Sequence, residues 1–339
     1  MADYQHTFKC IDGHTCGNPV RMVIEGGPDL KGDSMSQKRQ YFLEHYDWVR
    51  TSLMFEPRGH DIMSGSILYD SNRSDCDIGF LYIETSGCLP MCGHGTIGTA
   101  TFAIEGGFAK PATPGILNIE TPAGRVVAHY EIAKGKNGDK VSSVRIHNVA
   151  SYLAATDITI DCPELGEITL DVAYGGNYYA IIDPQKNFSG LHGFTAGDIL
   201  RLSPHVRQLV NEKFKPVHPE DPTICFVSHV LWTGDTLDPS SDGRNAVFYG
   251  DKAIDRSPCG TGTSARMAQL VAKGKLAVGD DYIQESIIGS KFEGRVEAAT
   301  KVGDFDAILP SIAGWAKQTG VNTIFVDEDD PFHHGFQVL

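Results

Sequence analysis

The chain has 339 residues, 41% hydrophobic and 21% charged, with a formal net charge of −14. That length and apolar content allow two domains with sizeable cores, and the acidic balance argues against nucleic acid or anionic membrane as a partner, since phosphate surfaces are met with Lys and Arg. No apolar run approaches the roughly 18–20 residues of a membrane helix, and Met1-Ala2-Asp3-Tyr4-Gln5-His6 lacks the basic and apolar segments of a signal peptide, so a cytoplasmic protein is expected.

In chain order, Phe8 to Asp12 reads as a strand entering a turn over Gly13 to Pro19, and Val20 to Ile24 as its return. Met35 to Trp48 reads as an amphipathic helix, followed by the ionisable loop Glu56-Pro57-Arg58-Gly59-His60-Asp61 and a strand running from Met63 through Ser64 to Tyr69. Phe80 to Thr85 is a strand, and strand signals resume between Gly115 and Tyr130. The polar run Lys134-Gly135-Lys136-Asn137-Gly138-Asp139 reads as a linker, and the domains are expected to be 1–138, joined by 312–339, and 139–311. Beyond it, strands are expected at Val141 to Ala150, Ile168 to Ala173, Tyr178 to Ile182, Cys225 to Trp232 and Ala246 to Tyr249. A helix from Ala196 to Lys213 should break at Pro204, and Thr323 to Val326 is the last strand signal.

Two stretches are copies of one another: Pro90-Met91-Cys92-Gly93-His94-Gly95-Thr96 and Ser257-Pro258-Cys259-Gly260-Thr261-Gly262-Thr263. Counted from each cysteine, glycine stands at +1, +3 and +15 and threonine at +4, with small and aliphatic residues at helical spacing between. The cysteines lie 167 positions apart, about half the chain, as internal duplication would place them.

A cysteine at a Gly-rich helix start sits where backbone N–H groups and the helix dipole favour negative charge, and the same donors can hold a carboxylate. Two such motifs on pseudo-symmetric halves could face each other across a cleft and set two sulfurs on either side of one α-carbon. That suits removal of a proton from one face and delivery to the other, a thiolate and a thiol acting together, with no cofactor and no metal. Other readings compete. Cys88, Cys92 and His94 could ligate zinc or serve thiol redox chemistry, but the second copy has no equivalent histidine. A phosphate loop would need a Lys-Ser/Thr pair after the glycines. The other six cysteines are read as small buried hydrophobes. Asp255 could pair with a substrate ammonium or simply form a turn, His229 reads as a satisfied strand histidine, and Glu56, Arg58, His60 and Asp61 as a structural ion-pair network.

Met91 to Gly98 and Asp255 to Ala265, with Asp12 to Pro19, Glu56 to His60 and Ser86 to Pro90, are similar to the proline racemase family, whose fold is shared with diaminopimelate epimerase. The resemblance implies an α+β fold of two pseudo-symmetric domains, each a β-sheet wrapped around a central helix, with the active site in the cleft between them. It implies that Cys92 and Cys259 are the acid/base pair. Backbone at Gly93, His94, Gly260 and Thr261 would hold the substrate carboxylate, and Asp255 the ring nitrogen. The dehydratase branch carries threonine where this chain has Cys259, which argues against that branch. Proline racemases place a bulky aromatic at the position of Ser64, so Ser64 implies room for a ring hydroxyl, and His229 stands at a second specificity position. The resemblance therefore implies C2 epimerisation of trans-4-hydroxy-L-proline to cis-4-hydroxy-D-proline, with proline racemisation as the alternative. A small amino acid is then the partner, and family members are often homodimers.

Overall fold

The first turn shows how the backbone is steered locally. In the computed structural model, which describes residues 4–136 and 138–338, strands β1 (His6–Thr15) and β2 (Asn18–Glu25) pair antiparallel with Thr15 opposite Asn18. Cys16 and Gly17 make the two-residue turn at φ 46° and 99°, the positive-φ pair that matches the twist of a hairpin. Asn137 of the expected linker and Met1, Ala2 and Asp3 of the N-terminal segment lie outside the described residues.

The expected helix from Met35 to Trp48 is two helices, α1 (Met35–His45) and α2 (Asp47–Met54), because Tyr46 leaves helical geometry at φ −133°. Strands β3 (Ser64–Tyr69), β4 (Ile78–Glu84) and β5 (Gly87–Leu89) then lead into helix α3 (Gly93–Glu105), followed by β6 (Ile116–Thr121), β7 (Gly124–Gly135) and β8 (Gly138–His147). Lys134 and Gly135 thus end one long strand and Gly138 and Asp139 begin the next, where a linker was expected.

The chain continues through β9 (Ser151–Cys162), β10 (Gly166–Tyr174), β11 (Tyr178–Ile182), α4 (Ala196–Lys213), β12 (Val227–Gly234), β13 (Gly243–Tyr249) and β14 (Ala253–Ile254). Helix α5 (Gly260–Ala272), β15 (Asp281–Glu285), β16 (Lys291–Val302), β17 (Phe305–Gly314) and β18 (Ala316–Val326) complete it. The expected break at Pro204 does not occur. A Thr195/Asp198 capping box starts α4, and Ile199, Leu202, Val206 and Val210 are buried along it. Their burial, about 1.5–3 kcal/mol each, outweighs the ~3 kcal/mol that an internal proline costs.

Packing divides the chain into two compact units, Met1–Ile146 with Gly314–Leu339, and His147–Ala313. In the first, α3 has 11 of its 13 residues buried and is flanked by β1, β2, β3, β7 and β18. In the second, α5 has 10 of 13 buried, against β9, β10, β11 and β16. A helix with no polar face is stable only when strands cover it all round. Each unit is therefore α+β with a sheet wrapped around a central helix.

The duplication persists to the helix ends. Gly107 and Gly274 adopt φ 70° and 68°, and the next residue donates five positions back, Phe108 N–H to Ala103 at 2.9 Å and Lys275 N–H to Leu270 at 2.8 Å. This is the Schellman closure that the +15 glycine permits. Among the described residues no helix is long and apolar enough to cross a membrane.

Candidate active site

Cys92 caps α3 at φ −136° and ψ 108°, with its Sγ accepting the Gly95 N–H at 3.3 Å. A Cβ built on Gly95 would stand 2.7 Å from that sulfur, which is why the +3 position has no side chain. The His94 Nδ1 lies 3.5 Å from Cys92 Sγ, and its Nε2 lies 2.9 Å from Asn18 Nδ2. With the amide nitrogen donating, Nε2 accepts and the ring proton sits on Nδ1, toward the sulfur. Thr15 Oγ1 donates to the His94 carbonyl at 2.8 Å, pinning the first helical turn to the β1–β2 hairpin. Gly93 and His94 supply first-turn amides at the positive end of the helix.

Glu84, Cys92 and His94 are all buried, and one ligand atom from each lies within 4.8 Å of the others. Among the described residues of the first unit, this is the group that could hold a metal. It does not include Cys88, which sits on β5 opposite Ile83 and whose thiol burial pushes up to about 12. Ser64 stands opposite Glu84 at the start of β3, and its buried Oγ has no hydrogen-bond partner among the described residues.

The second site is built on a strained residue. Cys259 caps α5 at φ 65°, in the left-handed region that costs a non-glycine residue of order 1–3 kcal/mol. A Cβ on Gly262 would meet its Sγ at 3.0 Å, the same constraint as at Gly95. The Cys259 N–H donates to Ser257 Oγ at 3.2 Å, and the Ser257 N–H donates to Asp255 Oδ1 at 2.8 Å. Asp255 thus forms a turn, one of its two expected roles, while staying 3% exposed. Burial first, and then the Asp255 carboxylate, push the Cys259 thiol well above its ordinary range, while hydrogen bonds from Tyr179, Gly262 and Thr261 pull it down. Asp255→Asn removes the repelling charge, so thiolate should form at lower pH. Alkylation of Cys259 at fixed pH is then expected to quicken severalfold, as peptide mass spectrometry would report.

Tyr179 on β11 and Glu84 on β4 are the site residues that sequence reading missed. Tyr179 is fully buried, with its hydroxyl 3.3 Å from Cys259 Sγ and 2.5 Å from Thr261 Oγ1. It lies 80 positions from Cys259, and only strand pairing brings them together. Parallel pairing sets Tyr179 beside His229 on β12, with ring centroids 4.7 Å apart. His229 Nδ1 also meets Ser228 Oγ at 2.6 Å, so it is a partnered strand histidine as expected. Behind the helix start, Gln269 bridges Asp171 and Asp183, and Arg266 pairs with Asp183 at 2.7 Å, so the outer face of α5 is tied to β10 and the end of β11.

Elsewhere the expected roles diverge. Arg58 pairs with Asp330 at 3.4 Å and donates to the Phe332 and His333 carbonyls, so it anchors the C-terminal segment instead of its own loop. All eight cysteines are free, but Cys225 is exposed and Cys76 half-buried, against the expectation of burial for both.

Two buried helices, each capped by a cysteine over a +3 glycine in its own α+β unit, define the class: a proline racemase profile matches residues 10–337, and the chain belongs to the proline racemase family. It is 62% identical over 333 residues, covering 98% of this chain and 99% of the relative, to a 4-hydroxyproline 2-epimerase of Shewanella loihica. The fold matches a hydroxyproline epimerase from Agrobacterium vitis, solved with bound trans-4-hydroxy-L-proline, at a TM-score of 0.90 and 29% identity over 99% of this chain and 97% of that one. It matches equally a probable proline racemase from Agrobacterium radiobacter K84, at a TM-score of 0.90 and 31% identity over 98% and 96%.

Proposed function

We propose that the protein is a cofactor-independent epimerase that interconverts trans-4-hydroxy-L-proline and cis-4-hydroxy-D-proline by inverting C2. The observation that carries this reading is the repeated pairing of a thiol with a +3 glycine and helix-start amides, in a chain 62% identical to a 4-hydroxyproline 2-epimerase.

On this reading the amides of Gly93, His94, Gly260 and Thr261 hold the carboxylate, and Asp255 takes the ring ammonium. One cysteine thiolate removes the C2 proton, its charge passing into the carboxylate where helix-start donors stabilise it. The other cysteine, as a thiol, returns a proton to the opposite face. Both thiols must then serve one α-carbon, and their roles exchange with direction. Ammonium binding at Asp255 offsets the charge that disfavours the Cys259 thiolate, so substrate itself eases formation of the base. The chemistry needs unoxidised thiols, which suits a reducing cytoplasm.

Preference for the hydroxylated ring follows from the unpartnered Ser64 Oγ. A site built to bond a hydroxyl rejects the analogue lacking one, because its buried polar atom then stays unpaired. His229 is the second residue assigned to the ring substituent.

Incubation with trans-4-hydroxy-L-proline in heavy water should give the cis-D epimer with deuterium at C2, and at a much higher kcat/KM than proline. Absence of both exchange and inversion would sink the proposal, while equal or faster turnover of proline would replace it with a proline racemase. Ser64→Phe fills the space assigned to the hydroxyl and should lower kcat/KM for hydroxyproline by about 10²-fold or more relative to proline; an unchanged ratio of the two substrates would remove Ser64 from the specificity site.

A further inference from the structure

Cys92 and Cys259 cap equivalent helices but are held by different donors. Cys92 has the His94 ring nitrogen at 3.5 Å. At the corresponding place after Cys259 stands Thr261, whose Oγ1 is 4.0 Å from the sulfur. The second sulfur is instead approached by a phenol from another strand, Tyr179, whose hydroxyl is 3.3 Å from Cys259 Sγ and 2.5 Å from Thr261 Oγ1.

We propose that Tyr179 is the positioning residue of the second thiol: its O–H donates to the Cys259 thiolate while its oxygen accepts from Thr261, so a two-hydroxyl relay holds the base form. The proton count allows this without movement of heavy atoms. Tyr179 and Thr261 carry one O–H each. When Cys259 is a thiolate, Thr261 donates to Tyr179 and Tyr179 to sulfur. When Cys259 is a thiol, Tyr179 turns its proton to Thr261, and the S–H is left for the reacting carbon. A charge-assisted bond to sulfur is stronger than the neutral one it replaces, so the relay favours the thiolate.

The groups facing Cys259 can be named from every side. Asp255 comes from the segment before α5 and opposes the thiolate, while the Gly262 amide and Thr261 on α5 support it. Tyr179 comes from β11, with the ring of His229 on β12 tilted against it at a centroid distance of 4.7 Å. Leu231, Val247 and Ala265, packed in the same cluster, are apolar. In this surrounding the phenol is a donor that no water replaces, since Tyr179 is 0% and Cys259 5% exposed. The His229 ring packs tilted at 32° against the Tyr179 ring, so its contribution includes orienting Tyr179 as well as the specificity role proposed above.

The catalytic consequence rests on the epimerase reading, but the test needs no substrate. The full-length protein is alkylated with iodoacetamide across a pH range, and each cysteine is followed by peptide mass spectrometry. In Tyr179→Phe the midpoint for Cys259 should rise by about one unit, which is about tenfold slower alkylation at a fixed pH below it, while Cys92 is unchanged. With 3-fluorotyrosine at position 179, a stronger hydrogen-bond donor, the Cys259 midpoint should fall. An unmoved Cys259 profile in Tyr179→Phe, or an equal shift of Cys92, would overturn the relay. If the phenylalanine variant does not fold, the fluorotyrosine protein decides, and no downward shift rejects the proposal. A wild-type protein that fails to exchange C2–H refutes the epimerase reading and leaves this measurement valid.

Discussion

Cys92→Ser and Cys259→Ser are each expected to lower epimerisation of trans-4-hydroxy-L-proline by about 10²–10⁴-fold or more. Serine keeps the shape of the side chain and its place at the helix N-cap, so the fold should survive. What it loses is acidity: a hydroxyl is neither a usable base nor a ready acid near neutral pH. Because inversion needs one group on each face, either replacement stops it. Exchange with solvent is more discriminating than inversion. A variant keeping one thiol can still deprotonate the enantiomer whose C2–H faces that thiol and return a solvent deuteron to the same face. Each variant should therefore retain partial deuterium exchange with one enantiomer and lose it with the other, and the two variants should show opposite preferences. Polarimetry with NMR of C2 deuterium would read both quantities. Full inversion by either variant would eliminate the two-base mechanism, and identical enantiomer preference would show that one cysteine alone meets the substrate.

Gly95→Ala and Gly262→Ala should be nearly as damaging although neither removes a reacting group. A methyl at Gly95 would stand 2.7 Å from Cys92 Sγ, and at Gly262 3.0 Å from Cys259 Sγ. Carbon and sulfur cannot approach so closely, so the sulfur or the first helical turn must shift by several tenths of an ångström or more. Displacement on that scale costs about 10²-fold when proton transfer depends on alignment. Alanine is otherwise the better helix former, so stability should change little while kcat falls, and the tighter contact predicts the larger loss for Gly95→Ala. Thermal unfolding measured beside kcat separates the two quantities. Near wild-type kcat in either variant would mean that the +3 glycine serves the helix start and not the thiol.

The outer architecture was only partly legible. Strands such as β3, β4, β10 and β11 announced themselves as short apolar and aromatic runs bounded by turn residues, the pattern of strands buried on both faces. Others did not. β9 has a polar, exposed middle with Asp157 at positive φ, and β16 and β17 are interrupted by register shifts and an internal proline, so their periodicity is blurred. The linker reading of Lys134 to Asp139 failed for a related reason: exposed strand ends carry the same Gly, Lys and Asp residues as a linker. Helix α4 outlasted Pro204 because long-range burial exceeded a local penalty.

At the sites, the sequence by itself determined the two cysteines, the glycines beneath them and the helix ends that follow. Those are local relations, set by hydrogen bonds and steric contacts within one helical turn, and the repeated spacing carries them in full. The tertiary structure alone decided which residues of other strands reach each site. Glu84 and Asn18 come to Cys92 and His94, and Tyr179 comes to Cys259, by strand pairing across 76 to 80 positions for Asn18 and Tyr179. Side chains on separate strands share no periodicity with the motif they serve, so no spacing could announce them. The histidine beside Cys92 thus stands in its own motif and is legible there, whereas the phenol beside Cys259 arrives from another strand only when the sheet closes around its helix.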